Sequence, residues 1–238
     1  MPRIHFQLQL AELKDKLLAL AALAKLSVDS AVDAYLQRDK KLCKYVKRNE
    51  RAINTAQREL DEMAYDLMAK EQPLAGDLRF TLAAIKINGD LERIGDQAMG
   101  IARRTKEMMK LEPVDLPVDF AAMSEYAGHM IRSAVQAMLD GDVQLAEQVR
   151  EMDDEIDRMN YRAHDDLLKF IAEQPRYTQQ AMRALLVAKN LERIADHATN
   201  IATDVIFWIQ GADLRHQFSM EMDEQEPETA SEKASGVA

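Results

Sequence analysis

Cysteine, glycine, proline and aromatic residues are all scarce in this chain, and each shortage excludes something. The single cysteine, Cys43, leaves no disulfide framework and reads as a small helix residue in a reducing cytosol. With 8 glycines, 6 prolines and 5% aromatic residues among 238, the chain has few of the turn-formers and strand-formers that a sheet protein needs. Basic residues are in deficit: the formal net charge is -10, which disfavours a nucleic-acid role. Long apolar runs are missing too, because the longest, Leu17 to Ala24, lies between Lys16 and Lys25 and is far too short to span a bilayer. Pro2-Arg3-Ile4-His5 leads into a charged amphipathic segment rather than a signal peptide, so a cytoplasmic location is expected.

What the chain does have is a repeat. Leu191-Glu192-Arg193-Ile194-Ala195-Asp196 has an earlier copy, Leu91-Glu92-Arg93-Ile94-Gly95-Asp96, about one hundred residues upstream. Retention of polar residues as well as apolar ones at that distance indicates two copies of a domain-sized unit. Each copy is predicted to be helical: Leu191, Ile194, Ala198, Ile201 and Val205 recur in steps of three and four, as do Leu91, Ile94, Ala98 and Ile101. That stripe is expected in the core, with Glu192, Asp196 and Asn200 pointing outward or to a flank.

The remaining sequence resolves into helices abundant in Ala, Leu and Met, with charged residues at 30%. The first is predicted from about His5 to Gln37, with Leu10, Leu13, Leu17, Leu20, Ala24, Ala31 and Leu36 on its apolar side. A second, carrying Val46, Ile53, Leu60, Met63 and Leu67, ends at Gln72-Pro73; a third starts near Gly76-Asp77, with Asp77 as cap, and runs to about Leu111. Residues 113–118 hold two of the prolines and read as a linker. Beyond it Ser133-Ala134-Val135 matches Ser30-Ala31-Val32, and Leu145, Val149 and Ile156 match Leu42, Val46 and Ile53. Gly141 suits a tight turn, the fifth helix ends before Pro175, the sixth starts near Thr178, and Gly211 closes it. The expected fold is therefore all-α: two tandem, pseudo-symmetric three-helix bundles at 4–112 and 119–212, six antiparallel helices in all. Residues 213–238 form an acidic tail, expected to be disordered; within it, residues 221–238 carry Glu221, Asp223, Glu224, Glu226, Glu228 and Glu232 against one Lys233.

Like charges four apart weaken a helix slightly, so helix stability does not explain acids kept in both copies, whereas a cation does. In an antiparallel hairpin, residues equally far from the turn lie side by side. With the turn near Arg176, Asp153 falls opposite Thr199 and Asp157 opposite Ala195, so Asp153, Asp157, Glu192 and Asp196 converge on one groove. In the first unit the comparable set is Glu50, Asn54, Glu92 and Asp96, one carboxylate fewer, which predicts weaker binding there. All-oxygen donors suit Mg²⁺, Ca²⁺, Mn²⁺ or iron, and suit Zn²⁺ less unless His197, which is off the acidic stripe, joins them. Arg93 and Arg193 read as flank salt bridges. No nucleophile with its base and no Gly-rich phosphate loop is present, and the Glu-x-x-His element of di-iron bundles is missing from both copies.

With Gln72-Pro73-Leu74-Ala75-Gly76-Asp77, Asp153-x-x-x-Asp157 and the two motif copies, the chain resembles the PhoU family over about residues 4 to 212. The resemblance implies a cytoplasmic, often dimeric, non-enzymatic helical protein that holds iron or zinc clusters at Glu/Asp-x-x-x-Asp motifs. It further implies restraint of the phosphate-starvation response through contacts with a sensor histidine kinase and the ATPase of the phosphate ABC importer. Glu192, Asp196, Asp153, Asp157, Glu92, Asp96 and Glu50 match family positions, while Asn54, Gln97 and Gly100 depart from them. Two other readings are a carboxylate-bridged metalloenzyme and a metal-free helical adaptor for a basic partner surface.

Overall fold

The computed structural model describes residues 2–211. The acidic tail expected at 213–238 lies outside the described residues. Seven helices form: α1 (Pro2–Gln37), α2 (Lys40–Glu71), α3 (Ala75–Met108), α4 (Phe120–Asp140), α5 (Val143–Glu151), α6 (Asp153–Glu173) and α7 (Thr178–Gln210). There is no strand among the described residues. None of these helices is long and apolar enough to cross a membrane. The α5–α6 pair occupies the place of the expected fifth helix, so the repeats remain two three-rod bundles with one rod divided.

Local chemistry sets the ends. Asp39 caps α2 by accepting from Lys41 N–H, Asp119 caps α4 through Ala122 N–H, and Asp142 caps α5 through Leu145 N–H. Gly141 and Gly211 close α4 and α7 with φ of 64° and 76°, the left-handed conformation that glycine adopts without steric cost. Asp77 does not cap α3, contrary to expectation. That helix begins at Ala75 after an extended Leu74, and Asp77 sits in its first turn, where a carboxylate complements the helix dipole. Leu36 is a second departure: it is 51% exposed, because the buried stripe of α1 passes through Val32 and Ala34 in the last turns.

The expected core stripes of α3 and α7 are fully buried, from Leu91 to Ile101 and from Leu191 to Val205. Instead of two separate cores, the buried side chains form one continuous cluster through both repeats. The cause is the extensive pairing of α3 with α7. Arg79 Nε donates to the Trp208 carbonyl at 3.1 Å, Lys86 lies 3.4 Å from Asp204, and His197 Nδ1 is 2.9 Å from Asp90. Residue numbers fall along one helix as they rise along the other. The helices are therefore antiparallel, and the two motif copies meet at the middle of their crossing. The linker is fastened to this core. Arg38 donates to the Met108 and Leu111 carbonyls, Gln180 donates to the Glu112 carbonyl, and Val114, Leu116 and Val118 pack inward.

Candidate metal centre

The acids of the second repeat sit where α6 and α7 run side by side. Asp157, Glu192 and Asp196 each present a carboxylate oxygen within 4.8 Å of the other two. Among the described residues this is the one group of three or more His, Cys, Asp or Glu side chains that converges so closely. The hairpin register is as expected, because Thr199 Oγ1 donates to Asp153 Oδ1 at 3.1 Å. Asp153 thus lies beside the trio with one oxygen engaged by the threonine.

Glu192, expected to point outward or to a flank, lies on the flank beside Asp157 of α6 and is buried there. Its side chain is 9% exposed, since the α6 rod covers it. Lys189, one turn earlier, donates to Glu192 Oε1 at 2.5 Å, while Oε2 is buried and has no hydrogen-bond partner. A buried carboxylate oxygen without a donor costs free energy that a bound cation recovers. Like charges this close repel by about 1 kcal/mol per pair in water and by more at lower dielectric, so Lys189 offsets only part of the cost. Titration reflects the same crowding. Burial first, then Glu192 and Asp153, push the Asp196 carboxyl from 3.8 up to about 6, while burial raises that of Asp153 against the opposing Thr199 bond.

The first repeat is arranged differently. Asn54 Nδ2 donates to Glu50 Oε1 at 3.1 Å, which occupies one acceptor of the set, and Asn54 Oδ1 is buried without a partner. Glu92 is raised above its ordinary value by burial and then by Asp96 and Glu50, with Arg93 and His197 opposing. Glu50, Glu92 and Asp96 are close enough to feel one another, yet their oxygens do not gather as the second set does. His197 is occupied by Asp90 across the α3–α7 crossing and is therefore tied to a structural pair rather than to the acidic groove. Arg93 makes only a 3.9 Å approach to Asp90, the flank contact expected of it, and Arg193 is exposed.

Two contributors escaped the sequence reading. Lys189 stands three residues before Glu192, inside the motif itself, and helix periodicity alone does not mark it as the counter-ion it becomes. Hairpin spacing sets Thr199 opposite Asp153, but only the rotamer of its hydroxyl makes it a donor to that carboxylate. The donor set that results consists of hard carboxylate oxygens, with the Glu192 Oε2 buried and without a hydrogen-bond partner, and it fits a divalent or trivalent cation of oxygen preference.

Comparison with known proteins agrees with this architecture. A family model described as the PhoU domain matches twice, at residues 17–105 and 120–205. A Pseudomonas putida protein described as a phosphate-specific transport system accessory protein PhoU homolog is 34% identical over 215 residues, covering 89% of this chain and 83% of that one. An Aquifex aeolicus protein of the same description is 32% identical, with 91% and 98% covered. The crystal structure of PhoU from Pseudomonas aeruginosa superposes with a TM-score of 0.82 at 31% identity, covering 87% of this chain and all of its own, 100%. A phosphate transport system regulatory protein PhoU from Streptococcus pneumoniae gives 0.81 at 25% identity, covering 87% and 98%. With its six-rod bundle pair, its duplicated acidic motif and these matches over both halves, the chain belongs to the PhoU family.

Proposed function

We propose that this chain is a non-catalytic regulator of phosphate homeostasis. It restrains the phosphate-starvation response when phosphate is plentiful and modulates phosphate uptake. It does so in the cytoplasm, as a homodimer, by contacting the sensor histidine kinase of the phosphate regulon and the ATPase subunit of the phosphate ABC importer. The observation that carries this reading is the match of both repeats to the PhoU domain, together with relatives described as accessory proteins of phosphate transport.

Metal ions belong to the proposal. Asp153, Asp157, Glu192 and Asp196 would hold one cation or cluster, and Glu50, Glu92 and Asp96 a weaker one. Iron or zinc is implied by the family resemblance, and Mg²⁺, Ca²⁺ or Mn²⁺ is compatible with the all-oxygen donors. The buried, partnerless Glu192 Oε2 supports the second-repeat site. When bound, the cation would neutralise the crowded carboxylates and clamp α6 to α7.

Deleting the gene and following a phosphatase reporter in high phosphate tests the regulatory reading. The expected result is a reporter switched on despite abundant phosphate, and a reporter that stays silent overturns the assignment. Metal analysis of the purified protein, with Asp196→Asn as the control that should lose it, tests the metal reading separately.

A further inference from the structure

The two hairpins differ at one backbone position that adjoins the carboxylate groove. Helix α2 is unbroken from Lys40 to Glu71, whereas the matching rod is interrupted at Met152, one residue before Asp153. There Tyr126 of α4 donates its hydroxyl to the Met152 carbonyl at 3.1 Å. The same carbonyl accepts the Glu155 N–H at 3.2 Å, closing a tighter turn than the α-helical ladder makes. By the repeat alignment Tyr126 stands where the first half has Leu23, and Met152 where it has Asn49. The hydroxyl accompanies the interrupted rod and the leucine accompanies the unbroken one.

A donor that holds the carbonyl at a helix start fixes the rotation of the first turn. In α6 that turn carries Asp153, held by Thr199, and Asp157 follows one turn on as a member of the converging trio. A change from tight to ordinary winding rotates everything beyond it by about 20° per residue, so a carboxylate about 6 Å from the helix axis moves by roughly 2 Å. Displacement of that size opens a group whose oxygens lie within 4.8 Å.

We propose that Tyr126 is a positioning residue for the carboxylate groove: through Met152 its hydroxyl sets the rotation of α6 in which Asp153 and Asp157 face Glu192 and Asp196, and the cation affinity of the groove depends on it. The inference rests on the metal reading above and adds to it a residue on α4, outside every acidic motif.

The test uses the full chain as wild type, Tyr126→Phe and Glu192→Gln. Three quantities are measured: Mn²⁺ affinity by calorimetry, the metal-free unfolding midpoint, and metal-free amide exchange at residues 153–157. Wild type is expected to bind Mn²⁺ and Glu192→Gln to lose it. Tyr126→Phe should bind about tenfold more weakly, the usual scale for a residue behind the ligands. Its midpoint should hold while the 153–157 amides exchange about tenfold faster, as local opening becomes easier. Affinity and exchange equal to wild type in Tyr126→Phe overturn the proposal. So does a loss of affinity matched by a lower metal-free midpoint, which marks a merely structural tyrosine. Wild type that takes neither Mn²⁺ nor Fe²⁺ nor Zn²⁺ in the same titration brings down the metal reading itself, and the exchange measurement still decides the positioning role without any metal.

Discussion

The α2–α3 and α6–α7 hairpins repeat one pattern, yet the first is stitched by a buried amide and the second gathers carboxylates at the end of an open groove. In the first, Asn88 is buried and donates both to the Gln57 carbonyl and to Asp61 Oδ1, each at 2.8 Å, stitching the helices together. In the second, the aligned residue is the buried Ala188, and a groove of about 1210 Å³ lies between α6 and α7, lined by Asp157, Tyr161, Leu185, Leu186 and Lys189 among others. Gly95 lies so near Ile53 that an added Cβ would stand 2.7 Å from its Cδ1, while Ala195 occupies the same place opposite Ile156. The first hairpin thus gave up a carboxylate at Asn54 and gained closeness. The second kept its acids and acquired Lys189 where the first has Gly89. Duplicated helices can retain a motif while the contacts between them diverge, and here, among the described residues, only the second copy brings three carboxylates together.

The largest expected effect breaks this comparison at its centre. Glu192→Gln should weaken Mn²⁺ binding by more than the about 10–100-fold that changes behind the ligands cost, because it removes a donor from the converging trio. Glu92→Gln should do much less. Calorimetry on the two variants measures the difference, and a greater loss from Glu92→Gln would reverse the ranking of the sites.

Asn54→Asp sharpens the comparison by giving the first hairpin its missing carboxylate. Without metal it removes the bond to Glu50 and places like charges four apart, so stability should fall by about 1–2 kcal/mol in denaturant unfolding. With Mn²⁺ it should raise the number of ions bound per chain, read by metal analysis after dialysis. An unchanged count would show that helix spacing, and not the amide, limits the first site.

Smaller again is the effect of closeness itself. Gly95→Ala gains about 1 kcal/mol of helix propensity but overpacks Ile53, for which about 1–3 kcal/mol is typical, so a net loss of up to about 2 kcal/mol is expected. In an Ile53→Val background, which lacks the clashing Cδ1, the same substitution should become neutral or stabilising. Loss of equal size in both backgrounds would mean that the two hairpins are equally wide at this level.

Much of this was legible from residue order because helix periodicity and turn chemistry are local. The buried stripes of α3 and α7, the glycine caps and the Asp153–Thr199 register all follow from spacing. The fusion of two bundles into one core does not, because Asp90 and His197 meet only through packing between halves. The break at Met152 was hidden for the same reason, as the tyrosine that bonds its carbonyl, Tyr126, lies on another helix. Burial of Glu192 was also missed, since a stripe calculation places a side chain relative to its own axis and knows nothing of the rod that covers it.

The smallest expected effect is the pH response of the acidic groove, where the two hairpins again separate. Asp196 holds its proton up to about 6 in the folded chain, against 3.8 in its ordinary state. Between those values the folded form binds more protons than the unfolded one, so metal-free stability should fall as pH rises from about 4 to about 6 and then level. Asp153 and Glu92 shift in the same direction and reinforce the trend. Partial exposure of these groups lets solvent screen much of it. A bound cation needs the carboxylates ionised, so Mn²⁺ should reverse the slope, its stabilisation growing as pH climbs through about 6. Thermal midpoints taken across this range with and without Mn²⁺ should therefore diverge upward. Asp196→Asn should flatten the metal-free curve and close most of the gap, whereas Asp96→Asn in the first hairpin should leave both curves nearly as they were.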